Sequence, residues 1–363
     1  MGEHQERAER ALRLAEEVGA EALLVLSAPN RRYLTGFSGS AGVVLLTPRR
    51  RWLLTDSRYL EQAEREAPDY EVRALARQVF RQVADLLREE GASQAAFEAD
   101  KWSVSQWRRA TAEAPEVRWI ESEGLVERLR VVKSESELAV MAQAAHIADE
   151  ALAQVALILR PGLRERDVAV HLECKMRQLG AEGLAFPTIV ASGPRGSLPH
   201  GQASERVLEA GELVTIDFGA TFGGYHSDQT VTWALAGDRP ERARLREVYE
   251  VVRAAQAAGL AAVRPGVRAS EVDRAARSVI EAAGYGEAFG HSTGHGVGLE
   301  VHEAPWAAKA PATDWELQPN MVVTVEPGIY LPGLGGVRLE DTVVVTPDGF
   351  RRLTWADKGW REW

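Results

Sequence analysis

Cysteine is almost missing from this chain: Cys174 is the only one in 363 residues. That excludes a disulfide framework and a cysteine-built zinc site, and it suits a reducing compartment. Lysine is scarce as well, at positions 101, 133, 175, 309 and 358 only, so 38 of the 43 basic residues are arginine; asparagine occurs only at 30 and 320. Genome base composition accounts for such a bias, with thermophily as a weaker reading. No apolar run approaches the roughly 20 residues that a membrane span needs. The start, Met1-Gly2-Glu3-His4-Gln5-Glu6, has neither the basic nor the apolar region of a secretory leader. These absences predict a soluble cytoplasmic protein. Positive charge is not in excess either, and the formal net charge of -10 argues against nucleic acid or an anionic membrane as the main partner.

What is present is an ordinary globular balance, 45% hydrophobic and 26% charged, in a chain long enough for two cores. Residues 6 to 18 read as an amphipathic helix. Apolar runs at 22–26, 43–46, 52–54 and 95–97 read as strands, and 57–66 and 77–90 read as helices. That alternation predicts a smaller α/β domain over residues 1–124. A charged stretch, 125–133, reads as a linker. Ser134 and Glu137 then form a capping-box pattern ahead of a long helix whose Leu138, Met141, Ala145, Ala148, Leu152, Val155 and Leu159 share one face.

Residues 134–363 look duplicated. Arg160-Pro161-Gly162-Leu163-Arg164 returns 104 residues later as Arg264-Pro265-Gly266-Val267-Arg268, and Gly180 returns as Gly284. After each copy comes an apolar strand ending in acid, Val214-Thr215-Ile216-Asp217 and Val323-Thr324-Val325-Glu326, followed by a second acid, Asp228 and then Glu340. Internal repeats report architecture, and the element order predicts an α+β domain with pseudo-twofold symmetry. Four acids in apolar strands stay ionised only beside positive charge, because burying a bare carboxylate costs several kcal/mol or more. A pair of divalent cations meets that need.

Three of the eight histidines fall within His291–His302, and glycines flank His295, where the missing side chain lets backbone approach a ligand. His295 is therefore the expected nitrogen ligand, with His291 and His302 aimed at substrate; His200 lies in a turn before the first acidic strand. An oxygen-rich set of this kind suits manganese or cobalt, with zinc or iron as alternatives. Two such ions can activate a shared water as hydroxide and polarise a carbonyl, so the expected chemistry is metal-assisted hydrolysis. Asp217-Phe218-Gly219 spells a kinase tripeptide, but no kinase catalytic loop accompanies it.

These residues resemble the pita-bread metallopeptidases, which include aminopeptidase P, prolidase and more distantly methionine aminopeptidase. The resemblance implies that Asp228 and Glu340 bridge two metals, that Asp217 completes one site, and that His295 with Glu326 completes the other. It further implies that Glu326 shuttles the proton, that His200, His291 and His302 position substrate and stabilise the tetrahedral intermediate, and that Arg338 supports the bridging glutamate. Asn30-Arg31-Arg32-Tyr33-Leu34-Thr35-Gly36-Phe37 and Thr55-Asp56-Ser57-Arg58-Tyr59 resemble the creatinase-type N-terminal domain, which assists dimerisation in relatives. One departure is Thr230-Val231-Thr232, where the family often has Thr-Arg-Thr. The expected function is hydrolysis of the Xaa-Pro bond in short proline-containing peptides by a dinuclear, homodimeric enzyme, either dipeptidase or aminopeptidase. The rival readings are a metal-independent creatinase-type amidinohydrolase and a non-catalytic peptide-binding protein on the same scaffold.

Overall fold

The computed structural model describes residues 2–363 and divides them into two compact units, one ending at Arg130 and one beginning at Val131. In the first unit, strands β1 (Ala22–Val25), β2 (Val43–Leu46), β3 (Arg51–Thr55), β4 (Glu71–Ala74), β5 (Gln94–Glu98) and β6 (Arg118–Ser122) form one mixed sheet in the order β4-β3-β2-β1-β5-β6. Helices α1 (Glu3–Glu17), α2 (Ala28–Thr35), α3 (Leu60–Glu66), α4 (Val79–Glu90), α5 (Val104–Glu113) and α6 (Leu125–Arg130) accompany it. The runs of four buried residues in β1 and β2 explain why those strands were legible from apolar content alone. Strands β4 and β6 were not, because they are the two edges and carry exposed charge. The stretch 125–133, expected as a linker, contains α6 because Leu125, Val126 and Leu129 bury an apolar face.

The second unit opens with α7 (Glu135–Ala156). Ser134 Oγ accepts the Glu137 amide while the Glu137 carboxylate accepts the Ser134 amide, closing the capping box. The seven residues expected on one face, from Leu138 to Leu159, are all buried. The remaining elements are α8 (Glu165–Gln178), β7 (Gly183–Leu184), β8 (Ile189–Ser192), β9 (Leu213–Phe218), β10 (Ala220–Phe222), β11 (Tyr225–His226) and β12 (Gln229–Ala234). They continue with α9 (Arg242–Ala262), α10 (Ala269–Ala282), β13 (Gly294–Gly296), β14 (Glu303–Ala307), β15 (Val322–Val325), β16 (Gly328–Leu331), β17 (Gly335–Arg338), β18 (Asp341–Thr346) and β19 (Gly349–Arg352).

The duplication is visible in backbone hydrogen bonds. Gly162 donates to Leu208 O, and Leu208 donates back to Leu163 O; Gly266 donates to Leu317 O, and Leu317 donates back to Val267 O. Gly162 and Gly266 have φ of 96° and 81°, and Gly180 and Gly284 have 105° and 83°, a left-handed region in which a side chain is strained. That constraint is why these glycines recur in both copies. Each copy then delivers an acidic hairpin. In the first, β9 pairs antiparallel with β12 and sets Asp217 opposite Thr230. In the second, β15 pairs with β18 and sets Val325 opposite Asp341, so the same register continued by one residue faces Glu326 toward Glu340. Among the described residues, no helix is long and apolar enough to cross a membrane.

Candidate active site

The acids converge because both hairpins are cross-braced by threonine. Thr230 Oγ1 donates to Glu340 Oε2 at 2.7 Å, and the Glu340 amide donates to Thr230 O at 3.0 Å. Thr342 Oγ1 donates to the Asp228 carbonyl at 2.6 Å. Thr232 Oγ1 donates to Arg338 O and accepts the Arg338 amide. Each half thus holds the backbone or carboxylate of the other. The bracing role of these threonines was not anticipated from sequence. The available signal was the repeated acid-x-Thr, Asp228-Gln229-Thr230 and Glu340-Asp341-Thr342, since alternate residues of a strand share a face.

Asp217, Asp228, His295, Glu326 and Glu340 line one cavity of about 410 Å³, together with His200, His291, His302 and Arg338. His295 Nε2 lies 3.2 Å from Glu326 Oε1 and 3.6 Å from Asp228 Oδ2. Ligand atoms of Asp228, His295 and Glu340 all fall within 4.8 Å of one another. His295 Nδ1–H donates to Gly296 O at 3.0 Å, which turns Nε2 toward the carboxylates. The flanking glycines serve a different purpose from the expected one. A Cβ on Gly294 would lie 1.9 Å from Thr324 O, and one on Gly296 would lie 2.2 Å from Ala304 O, so they admit neighbouring strands rather than a ligand.

Arg338, 3% exposed, donates to Asp217 Oδ2 at 2.6 Å, to Thr230 Oγ1 at 3.1 Å, to the Tyr330 hydroxyl at 2.8 Å and to Pro199 O at 3.1 Å. Tyr330 was not anticipated. Because its oxygen receives Arg338, its proton goes to His291 Nε2 at 2.8 Å, and His291 Nδ1–H then goes to Ser292 O. Both nitrogens of His291 are committed within the protein, so it meets the cavity through ring carbon. His302 and His200, by contrast, have no hydrogen-bond partner among the described residues; the His302 ring stands 4.4 Å from that of His295.

Burial, reinforced by neighbouring carboxylates, holds Asp228 and Glu340 well above the usual carboxylate range, and burial raises Asp217 despite Arg338. Burial works the same way on Glu326, but His295 overcomes it and draws Glu326 below its ordinary value. Burial lowers His302 and His291. Asp217 Oδ1 and Glu340 Oε1 are buried without any hydrogen-bond donor. A buried orphan oxygen is costly, and two of them among four acids and an imidazole form a donor set that fits hard divalent cations.

Residues 139–347 match the family model described as metallopeptidase family M24, and residues 7–132 match the creatinase/prolidase N-terminal domain. The chain belongs to metallopeptidase family M24. This M24 chain is 35% identical to the Xaa-Pro dipeptidase of Pyrococcus horikoshii over 96% of its own length and 97% of the relative's. Its fold resembles the solved Xaa-Pro dipeptidase from Bacillus anthracis, with a TM-score of 0.95 at 42% identity over 99% and 100% of the two chains. It also resembles the X-Pro aminopeptidase from Thermotoga maritima, with a TM-score of 0.88 at 38% identity over 98% and 99%. The M24 metallopeptidase thus has the pita-bread catalytic fold with a creatinase-like N-terminal domain, as its motifs indicated.

Proposed function

We propose that this metallopeptidase hydrolyses the Xaa-Pro bond of short peptides, with Asp217, Asp228, His295, Glu326 and Glu340 holding two divalent ions, manganese or cobalt. The convergence of these five side chains on one cavity carries the reading, and the names of the Pyrococcus, Bacillus and Thermotoga relatives support the substrate class. Bound there, such ions would activate the attacking water and polarise the scissile carbonyl.

The chain's own residues do the rest. Glu326 is the most open of the ligand carboxylates in contact with His295, with a side chain 16% exposed against 6% for Asp228. It accepts the proton of the attacking water and passes it to the leaving proline nitrogen. That nitrogen belongs to a tertiary amide without its own N–H, so proton delivery is what lets it leave. His302 and His200 have ring nitrogens to spare for the carbonyl oxygen as charge develops on it, and burial lowers the pKa of His302. Arg338 fixes Asp217 and, through Tyr330, the ring of His291.

Chelated protein should be inactive on proline peptides and should recover with manganese or cobalt. Turnover that survives without metal would instead support a creatinase-type reaction, and binding without turnover under every divalent ion would support a peptide-binding protein. The same reading includes a cytoplasmic homodimer, which sedimentation of the full chain would test.

A further inference from the structure

The relatives' names leave open where the peptide ends, since one is called a dipeptidase and another an aminopeptidase. We propose that the cavity is built for peptides that continue past the proline and that it disfavours the free Xaa-Pro dipeptide. This rests on the Xaa-Pro reading above and names the substrate class within it.

In a dipeptide the terminal carboxylate sits two bonds from the scissile nitrogen, so it must enter the cavity together with the bond being cut. The only guanidinium or ammonium lining that cavity among the described residues is Arg338. It is buried, and four of its five N–H donors are occupied by Asp217, Thr230, Tyr330 and Pro199. It has no fork left for a substrate carboxylate. Two divalent ions and Arg338 would carry five positive charges against the four acids, and the hydroxide generated from the attacking water would take up the one in excess. His291 does not make up the difference, since both of its ring nitrogens are committed to Tyr330 and Ser292 O. An unpaired carboxylate drawn into such a site loses its water without gaining a partner.

Apart from the uncharged Gln202 and Ser292, the remaining wall is apolar. Phe186, Pro187, Ile189, Val301 and Trp306 face the cavity. Trp306 begins the exposed side of the rim on β14, four residues after His302, with 39% of its surface open and its ring 6.1 Å from that of His295. A half-exposed tryptophan offers a flat face to a pyrrolidine ring or to the residue after it, and an indole N–H to a peptide carbonyl. It gives an anion no counter-charge. An internal proline, whose carbonyl is a neutral amide, fits this wall; a terminal one does not.

The experiment compares Ala-Pro, Ala-Pro-amide and Ala-Pro-Ala with the metal-loaded full chain, because the first two differ only in the terminal charge. The amide and the tripeptide should exceed the free dipeptide in kcat/KM by at least about tenfold. Calorimetry on the metal-free protein should rank their binding in the same order. Trp306→Arg places a cation on the rim and should narrow the gap between Ala-Pro and its amide. A free dipeptide cleaved as well as the amide would overturn the proposal while leaving the Xaa-Pro reading intact. Three inert peptides would overturn both, and discrimination unchanged in Trp306→Arg would remove Trp306 from the account.

Discussion

Glu165 and Asp273 are as deeply buried as the acids of the candidate active site, yet their surroundings are opposite. Glu165, fully buried, accepts the amide and hydroxyl of Ser192, the amide and hydroxyl of Ser204, and Arg195. Asp273 accepts the amide and hydroxyl of Thr293 and two N–H groups of Arg277. In the candidate active site Asp217 Oδ1 and Glu340 Oε1 receive nothing, and Asp228 and Glu340 are raised by burial and by the other acids. Where this protein uses a buried carboxylate as a structural tie, it saturates the oxygens with its own donors. Where it leaves them bare, the missing donors are what the proposed cations would replace.

The largest expected effect comes from the bare set. Asp228→Asn or Glu340→Gln should lower turnover by about a thousandfold or more, roughly 4 kcal/mol in the barrier, and should reduce metal content measured by elemental analysis. The same substitutions should raise the melting temperature of the metal-free protein, because an amide removes a repelled charge. A lower metal-free melting temperature would place these acids with Glu165 and Asp273 instead.

Next in size, Glu165→Gln should destabilise metal-free and metal-loaded protein alike by about 3 kcal/mol, since it leaves Arg195 without its partner; denaturant unfolding of both forms is the check. His302→Ala should follow, with turnover down about a hundredfold, the worth of one donor to a developing oxyanion, and metal content unchanged. Loss of metal would mean that His302 is a ligand rather than a substrate contact.

The smallest effect concerns Glu98 in the N-terminal unit, which accepts the amides of Leu26 and Ser27 and the side chain of Asn30. Burial still raises its pKa, so the folded state holds its proton more tightly than the unfolded chain. Its contribution is therefore complete below the ordinary glutamate range, near pH 4, and is lost as pH rises through the folded value. Relative to Glu98→Gln, the wild-type melting temperature should fall as pH rises from about 4 toward neutrality. Parallel profiles would show that its three donors balance the burial.

The duplication, the four acids, His295 and the family were legible in the chain because each is carried by residue type at fixed spacing. So were the buried strands β1 and β2 and the packed face of α7, where burial demands apolar content. The edge strands Glu71–Ala74 and Arg118–Ser122 escaped notice because one-sided exposure lets them carry charge. The threonine braces, the Tyr330 link that occupies His291, and a cavity wall whose single cation is already engaged depend on side chains more than 100 residues apart in several cases, as with Thr230 and Glu340. Sequence alone determined which groups could hold cations and that two related halves supply them. Only the tertiary structure decided which of their oxygens stay bare and which histidines stay open to a substrate, because hydrogen-bond saturation is a property of what folding brings alongside, not of the residue itself.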